Sequence, residues 1–109
     1  MVITNPWFGR NKPLMSEKLH DELVKAGYNN MKPLVKYFIG NCTWLITGIE
    51  DGILYGWADL GMGCVEWGGI MGVDELGTIH RGPFWLERDL HFTHKEGTNY
   101  GSLDSLAGI

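Results

Sequence analysis

Three observations predict an α+β fold. One amphipathic stretch near the N-terminus carries helix signals at both ends, the apolar period switches to two from residue 34 onward, and tight-turn residues divide that second region at short intervals. The architecture they imply is an antiparallel meander of four to five strands, with one N-terminal helix packed on one face and a short helix before the last strand. At 109 residues the chain is a single domain with one modest core. It divides into an irregular arm (1–13), a core (14–92) and a tail (93–109).

Pro6, Gly9, Asn11 and Pro13 give the arm turn residues without a sustained period. The helix follows. Ser16 is the expected N-cap, Glu17 and Asp21 place negative charge in the first turns, Leu19, Leu23 and Ala26 form the apolar stripe, and Gly27 ends it. Strands are predicted at about 34–39, 42–49, 53–60 and 64–71, with reversals at Gly40-Asn41, Glu50-Asp51-Gly52 and Gly61-Met62-Gly63. Asp51-Gly52 is the strongest hairpin signal, since that pair readily takes the positive φ values of a primed turn. Alternation puts Ile53, Tyr55 and Trp57 on one side of the third strand and Leu54, Gly56 and Ala58 on the other. The helix is expected on that shaved face. Residues 72–76 read as a short helical turn, and 86–92 as a last strand with Glu87, Asp89 and His91 on one face. The tail reads as a linker, with Leu103, Leu106 and Ile109 enough for a docked turn.

Net charge is −4 and unevenly distributed. Residues 1–36 hold six basic and three acidic side chains, whereas residues 37–80 hold no lysine or arginine and six carboxylates: Glu50, Asp51, Asp59, Glu66, Asp74 and Glu75. A sheet without cations cannot grip phosphates, so direct nucleic-acid binding through it is excluded. No apolar run reaches the length of a membrane span, and no basic-then-apolar leader opens the chain, which makes the bacterial cytoplasm the expected location. Cys42 and Cys64 are too few for a disulfide framework and read as small buried hydrophobes.

Signals for catalysis are weak. His91 and His94 are three apart on a strand and face opposite ways, and two further ligands would have to come from elsewhere, so no metal or other cofactor is expected. No phosphate-binding glycine loop and no nucleophile elbow is present. The one constellation with acid–base potential is Glu87, Asp89 and His91, which would serve a small hydrolase or metal-dependent enzyme. Its plainer reading is a solvated edge strand guarded by charge.

Five tryptophans are many for this length. Trp44, Trp57 and Trp67 fit core or sheet-face packing. Trp7 and Phe8, adjacent on a proline- and glycine-rich arm, either fold back over the core or anchor a partner, while Trp85 either caps the sheet or lies exposed.

The ordered series Leu54-Tyr55-Gly56-Trp57-Ala58-Asp59-Leu60-Gly61-Met62-Gly63, Glu66-Trp67-Gly68, Asp74-Glu75-Leu76, Arg81-Gly82-Pro83 and Leu86-Glu87-Arg88-Asp89-Leu90-His91-Phe92 resembles a small bacterial family over about 14–92. That family is carried mainly on plasmids, phages and other mobile elements and is described only as a domain of unknown function. Members usually open the short helix with a serine, where this chain has Gly72 and Asp74. The resemblance implies an accessory gene serving transfer, maintenance or escape from host defence. Joined to the charge pattern, it leads to the expectation of a non-catalytic, protein-binding inhibitor. A CRISPR or restriction effector is the expected host partner, its basic nucleic-acid-binding surface occluded by the six carboxylates with Trp7 and Phe8 as anchors. An exposed strand edge also offers a route to a homodimer.

Overall fold

The computed structural model describes residues 1–109. The helix α1 spans Glu17–Ala26 and begins where the capping residue predicts, with Ser16 Oγ accepting the Leu19 N–H at 3.1 Å. At its end the Gly27 N–H donates to the Leu23 carbonyl at 3.1 Å. Leu19 and Leu23 are its buried residues.

The meander follows as β1 (Val35–Ile39), β2 (Cys42–Glu50), β3 (Ile53–Asp59) and β4 (Glu66–Gly72). Asp51 and Gly52 both take positive φ, 52° and 74°, so the β2–β3 connection is the primed turn the Asp-Gly pair implies. A 3₁₀ helix, η1 (Val73–Thr78), occupies the place of the expected short helix, and His80–Arg81 (β5) and Phe84–Trp85 (β6) then form a small separate hairpin. Only Glu87–Arg88 (β7) returns to the main sheet, pairing with Phe38 and Tyr37 of β1. All neighbours in the five-stranded sheet β4-β3-β2-β1-β7 are antiparallel. No helix is long and apolar enough to cross a membrane.

The last strand is much shorter than the expected 86–92. The Asp89 N–H still reaches the Lys36 carbonyl at 3.0 Å, but its carboxylate accepts the His91 N–H at 2.9 Å and turns the chain away. A side-chain acceptor two residues upstream has outcompeted strand alternation.

The main core lies between α1, the arm and the front of the sheet, and includes Leu14, Leu23, Tyr37, Ile46, Leu54 and Leu86. Leu54 and Ala58 belong to it, so the helix side of β3 is the small face, as its alternation implies. The closest backbone approach occurs one strand over. A Cβ on Gly48 of β2 would overlap the Gly27 carbonyl at the end of α1, so glycine is what lets the helix terminus rest on the sheet.

Both termini are more ordered than their sequences suggest. The arm pairs Ile3 with Met15 through two backbone hydrogen bonds of 2.9 and 3.2 Å, and the Asn5 amide donates to the Leu86 carbonyl at 2.9 Å. The tail forms a layer over the back of the sheet, where Tyr100 and Leu106 bury against Leu45 and Val65. β2 is therefore covered on both faces, and every residue of it except Glu50 is buried.

Candidate protein-binding surfaces

The carboxylates of the cation-free segment divide into groups with different fates. Glu50 lies opposite Ile53 and Ile53 opposite Gly72, while the Val73 N–H donates to the Gly52 carbonyl at 2.8 Å. The β2–β3 turn and the start of η1 thus share one end of the sheet, which gathers Glu50, Asp51, Asp74 and Glu75, all exposed. One Glu75 oxygen caps the Gly72 N–H at 2.7 Å. Glu66, opposite Ala58, stands exposed at the other end.

Asp59 departs from the expected acidic surface because it is only 3% exposed. Its carboxylate accepts the Gly61 N–H at 2.8 Å, the Leu106 N–H at 2.8 Å and the Ser105 hydroxyl at 3.1 Å. These donors, the two backbone amides foremost, hold its pKa below the usual carboxylate value. Asp59 is the clasp of the tail. The sequence carried one signal for this, a carboxylate directly after an apolar strand and two residues before a glycine turn.

None of the six carboxylates forms an ion pair; of the nine lysines and arginines, only Lys32 and Lys36 stand in salt bridges, and both pair elsewhere. Lys32 reaches Glu96 at 3.1 Å and lowers its pKa, and Lys36 approaches Asp89 at 3.7 Å while donating to the Ile109 carbonyl at 2.8 Å. Two of the six cations in the N-terminal third, Lys32 and Lys36, thus reach the tail, and none of the six pairs with the acidic end.

The arm splits its aromatic pair. Phe8 is partly buried against the core, with its N–H held by Asn5 Oδ1 at 2.8 Å. Trp7 is 46% exposed and stands edge-on to Phe84, itself 60% exposed, with ring centroids 6.1 Å apart. A cleft of about 220 Å³ between them includes Ile39 and Arg81. Phe84 is the exposed residue that sequence reasoning missed. Trp85 instead stacks on His80 at 4.8 Å. Trp44 is buried in the core, whereas Trp57 and Trp67 lie behind the sheet in a ring series with Tyr55 and Tyr100.

Glu87, Asp89 and His91 do not converge. Glu87 lines the cleft beside Trp7, while Asp89 and His91 line an open groove of about 510 Å³ with Lys36 and Thr43. His94 is turned away onto the Tyr100 hydroxyl at 2.8 Å. No three His, Cys, Asp or Glu side chains gather in a metal-holding group. Cys42 is buried, but Cys64 is exposed, because it falls in the loop before β4 rather than in the strand that apolar context implies.

The chain matches no curated protein and no solved structure. A family profile matches residues 13–105, which leaves out Trp7 and Phe8 and extends past 92 into the tail as far as Ser105, one of the groups that clasp Asp59. The chain therefore belongs to the family described as Protein of unknown function (DUF2958).

Proposed function

We propose that this is a non-catalytic binding protein whose acidic sheet end docks on a positively charged surface of another protein. The observation that carries this reading is the lack of any ion-pair partner for Glu50, Asp51, Asp74 and Glu75, while Lys32 and Lys36 are engaged with the tail. Four uncompensated carboxylates at one end make a local negative field that speeds encounter with a basic partner. Trp7 and Phe84 supply exposed aromatic area of the kind that anchors interfaces. In its concrete form the protein is an inhibitor encoded by a phage or other mobile element, covering the nucleic-acid-binding surface of a CRISPR or restriction effector. Five exposed carboxylates are too few to imitate a DNA duplex, so the mode is partial occlusion.

The test is release of DNA from a purified effector of each kind on titration with this protein, repeated across salt concentrations. Release that weakens steeply as salt rises, and is lost with Glu50→Lys and Asp51→Lys together, supports the reading. Release unaffected by both changes removes the acidic end from the mechanism, and no release by any effector removes the inhibitor role.

A further inference from the structure

The two margins of the main sheet are finished differently. On one side two-residue β7 and the Asp89 N–H cover β1 from Lys36 to Phe38. On the other, the seven residues of β4 pair only with β3. An unpaired strand margin presents a row of N–H and C=O groups, and proteins usually guard it with lysine, proline, a β-bulge or a covering element. β4 contains no lysine and no proline, and its centre is Gly68-Gly69. The one such device here is the bulge at Ile70, whose side chain packs toward the core, while Glu66 to Gly69 pair regularly with β3 and have no strand on their other side.

Beside this margin lie two hollows, about 340 and 210 Å³, that share Ala58, Leu60 and Glu66. The first reaches Trp44 and Met71, and the second reaches Met62, which is 73% exposed. An apolar trough thus runs alongside free backbone hydrogen-bonding groups. Carboxylates stand at both ends, Glu66 at one and Asp74 with Glu75 at the other, and no lysine or arginine occurs between residues 37 and 80.

We propose that the β4 margin is a strand-acceptor site, filled by an extended segment of a partner protein that is apolar at alternate positions and basic at both ends. Backbone pairing supplies affinity in this mode, and the trough and flanking charges select the side chains. Charge decides against a second copy of this chain. Two-fold antiparallel pairing of β4 with itself over its full length brings Glu66 of one copy to the Asp74-Glu75 end of the other, so like charges meet twice. A segment with a cation at each end meets opposite charge at both places. The proposal rests on the protein-binding reading but uses a surface distinct from the Glu50-Asp51 turn.

The probe is a synthetic peptide of about nine residues, with a lysine at each end and seven alternating valines and threonines between, which match the seven residues and roughly 23 Å of the strand. Binding is followed through the amide resonances of the ¹⁵N-labelled protein. Saturable shifts across Glu66–Gly72 and at the Trp44 and Trp67 indoles are expected. A peptide with glutamate at both ends should bind about tenfold more weakly, and N-methylation of alternate peptide amides should abolish binding. Gly68→Lys tests the margin with little risk to the fold, because a Cβ there meets open space; it should remove binding. Glu66→Lys with Asp74→Lys should reverse the preference between the two peptides.

Equal affinity for both peptides, or no shift in β4, overturns the proposal. So does a dimer in sedimentation that Gly68→Lys converts to monomer, which would give the margin to a second copy. Shifts confined to the Glu50-Asp51-Gly52 turn overturn it while leaving the acidic-end reading standing. Shifts in β4 that persist in a Glu50→Lys, Asp51→Lys variant, alongside unaltered effector inhibition, support the strand-acceptor site and remove the acidic turn.

Discussion

Replacing Asp59 with alanine should detach the tail from the sheet and cost about 3 kcal/mol. The figure follows from what the carboxylate holds: two backbone amides at 2.8 Å and one hydroxyl at 3.1 Å, at a residue only 3% exposed. Hydrogen bonds to a charged group contribute about 1.5–3 kcal/mol each, yet they are not additive, and donors freed by fraying recover water. The Leu106 side chain, fully buried, adds about 2 kcal/mol only if the tail leaves completely. For a domain of this size the sum corresponds to a fall of roughly 10 °C or more in Tm. Urea unfolding followed by tryptophan fluorescence is the assay, since Trp57 lies 6.3 Å from Tyr100 of the tail. The pH dependence has a definite sign. The folded pKa is lowered, so the Asp59 contribution is full above the unfolded value, near pH 4, and is lost as pH falls through the folded pKa. The stability gap between wild type and Asp59→Ala should therefore be constant above about pH 5 and narrow below about pH 4. An unchanged urea midpoint, with the tail still protected from protease, would refute the assignment of Asp59 as the clasp.

Gly48→Ala should cost more than 3 kcal/mol or prevent folding, because its Cβ overlaps the Gly27 carbonyl, whereas Gly52→Ala at φ 74° should cost only about 1 kcal/mol; thermal melts by circular dichroism separate the two. Phe8→Ala should lower stability by about 2 kcal/mol while Trp7→Ala lowers it by less than about 1 kcal/mol, since one ring packs on the core and the other is half exposed against an exposed Phe84. Burial raises the Tyr37 phenol well above its ordinary pKa, so it stays neutral in the folded chain and stability falls as pH rises past about 10, where the unfolded phenol ionises. Tyr37→Phe should remove that alkaline dependence and, by stranding the Leu14 carbonyl that the hydroxyl donates to, cost about 1–2 kcal/mol at neutral pH.

What could be read from the sequence was what local chemistry decides. Ser16 and Gly27 bracket α1, Asp51-Gly52 sets the hairpin, and the period of two places the boundaries of β1 to β4 within about two residues of those observed. What could not be read depends on contacts far apart along the chain. Asp59 looks like any acid at a strand end until Ser105 and Leu106 arrive, and Gly48 has no distinguishing neighbour until Gly27 rests on it. The final strand failed for a local reason, since Asp89 takes the His91 amide and bends the chain where alternation alone would continue it. Among the candidate site residues, the sequence pattern marked the acids, but only the register of β2, β3 and β4 divides them into an end group of four, a solitary Glu66 and an internal Asp59.

The unequal finish of the sheet also sets a ceiling on stoichiometry. With the opposite margin reduced to the two residues of β7, hydrogen-bonded growth is favoured at β4 alone, so what joins there has no comparable strand on the far side to extend into a ribbon. A mixture of this chain with any strand-bearing partner should saturate at one to one, and concentrated samples of the chain alone should stay free of fibres.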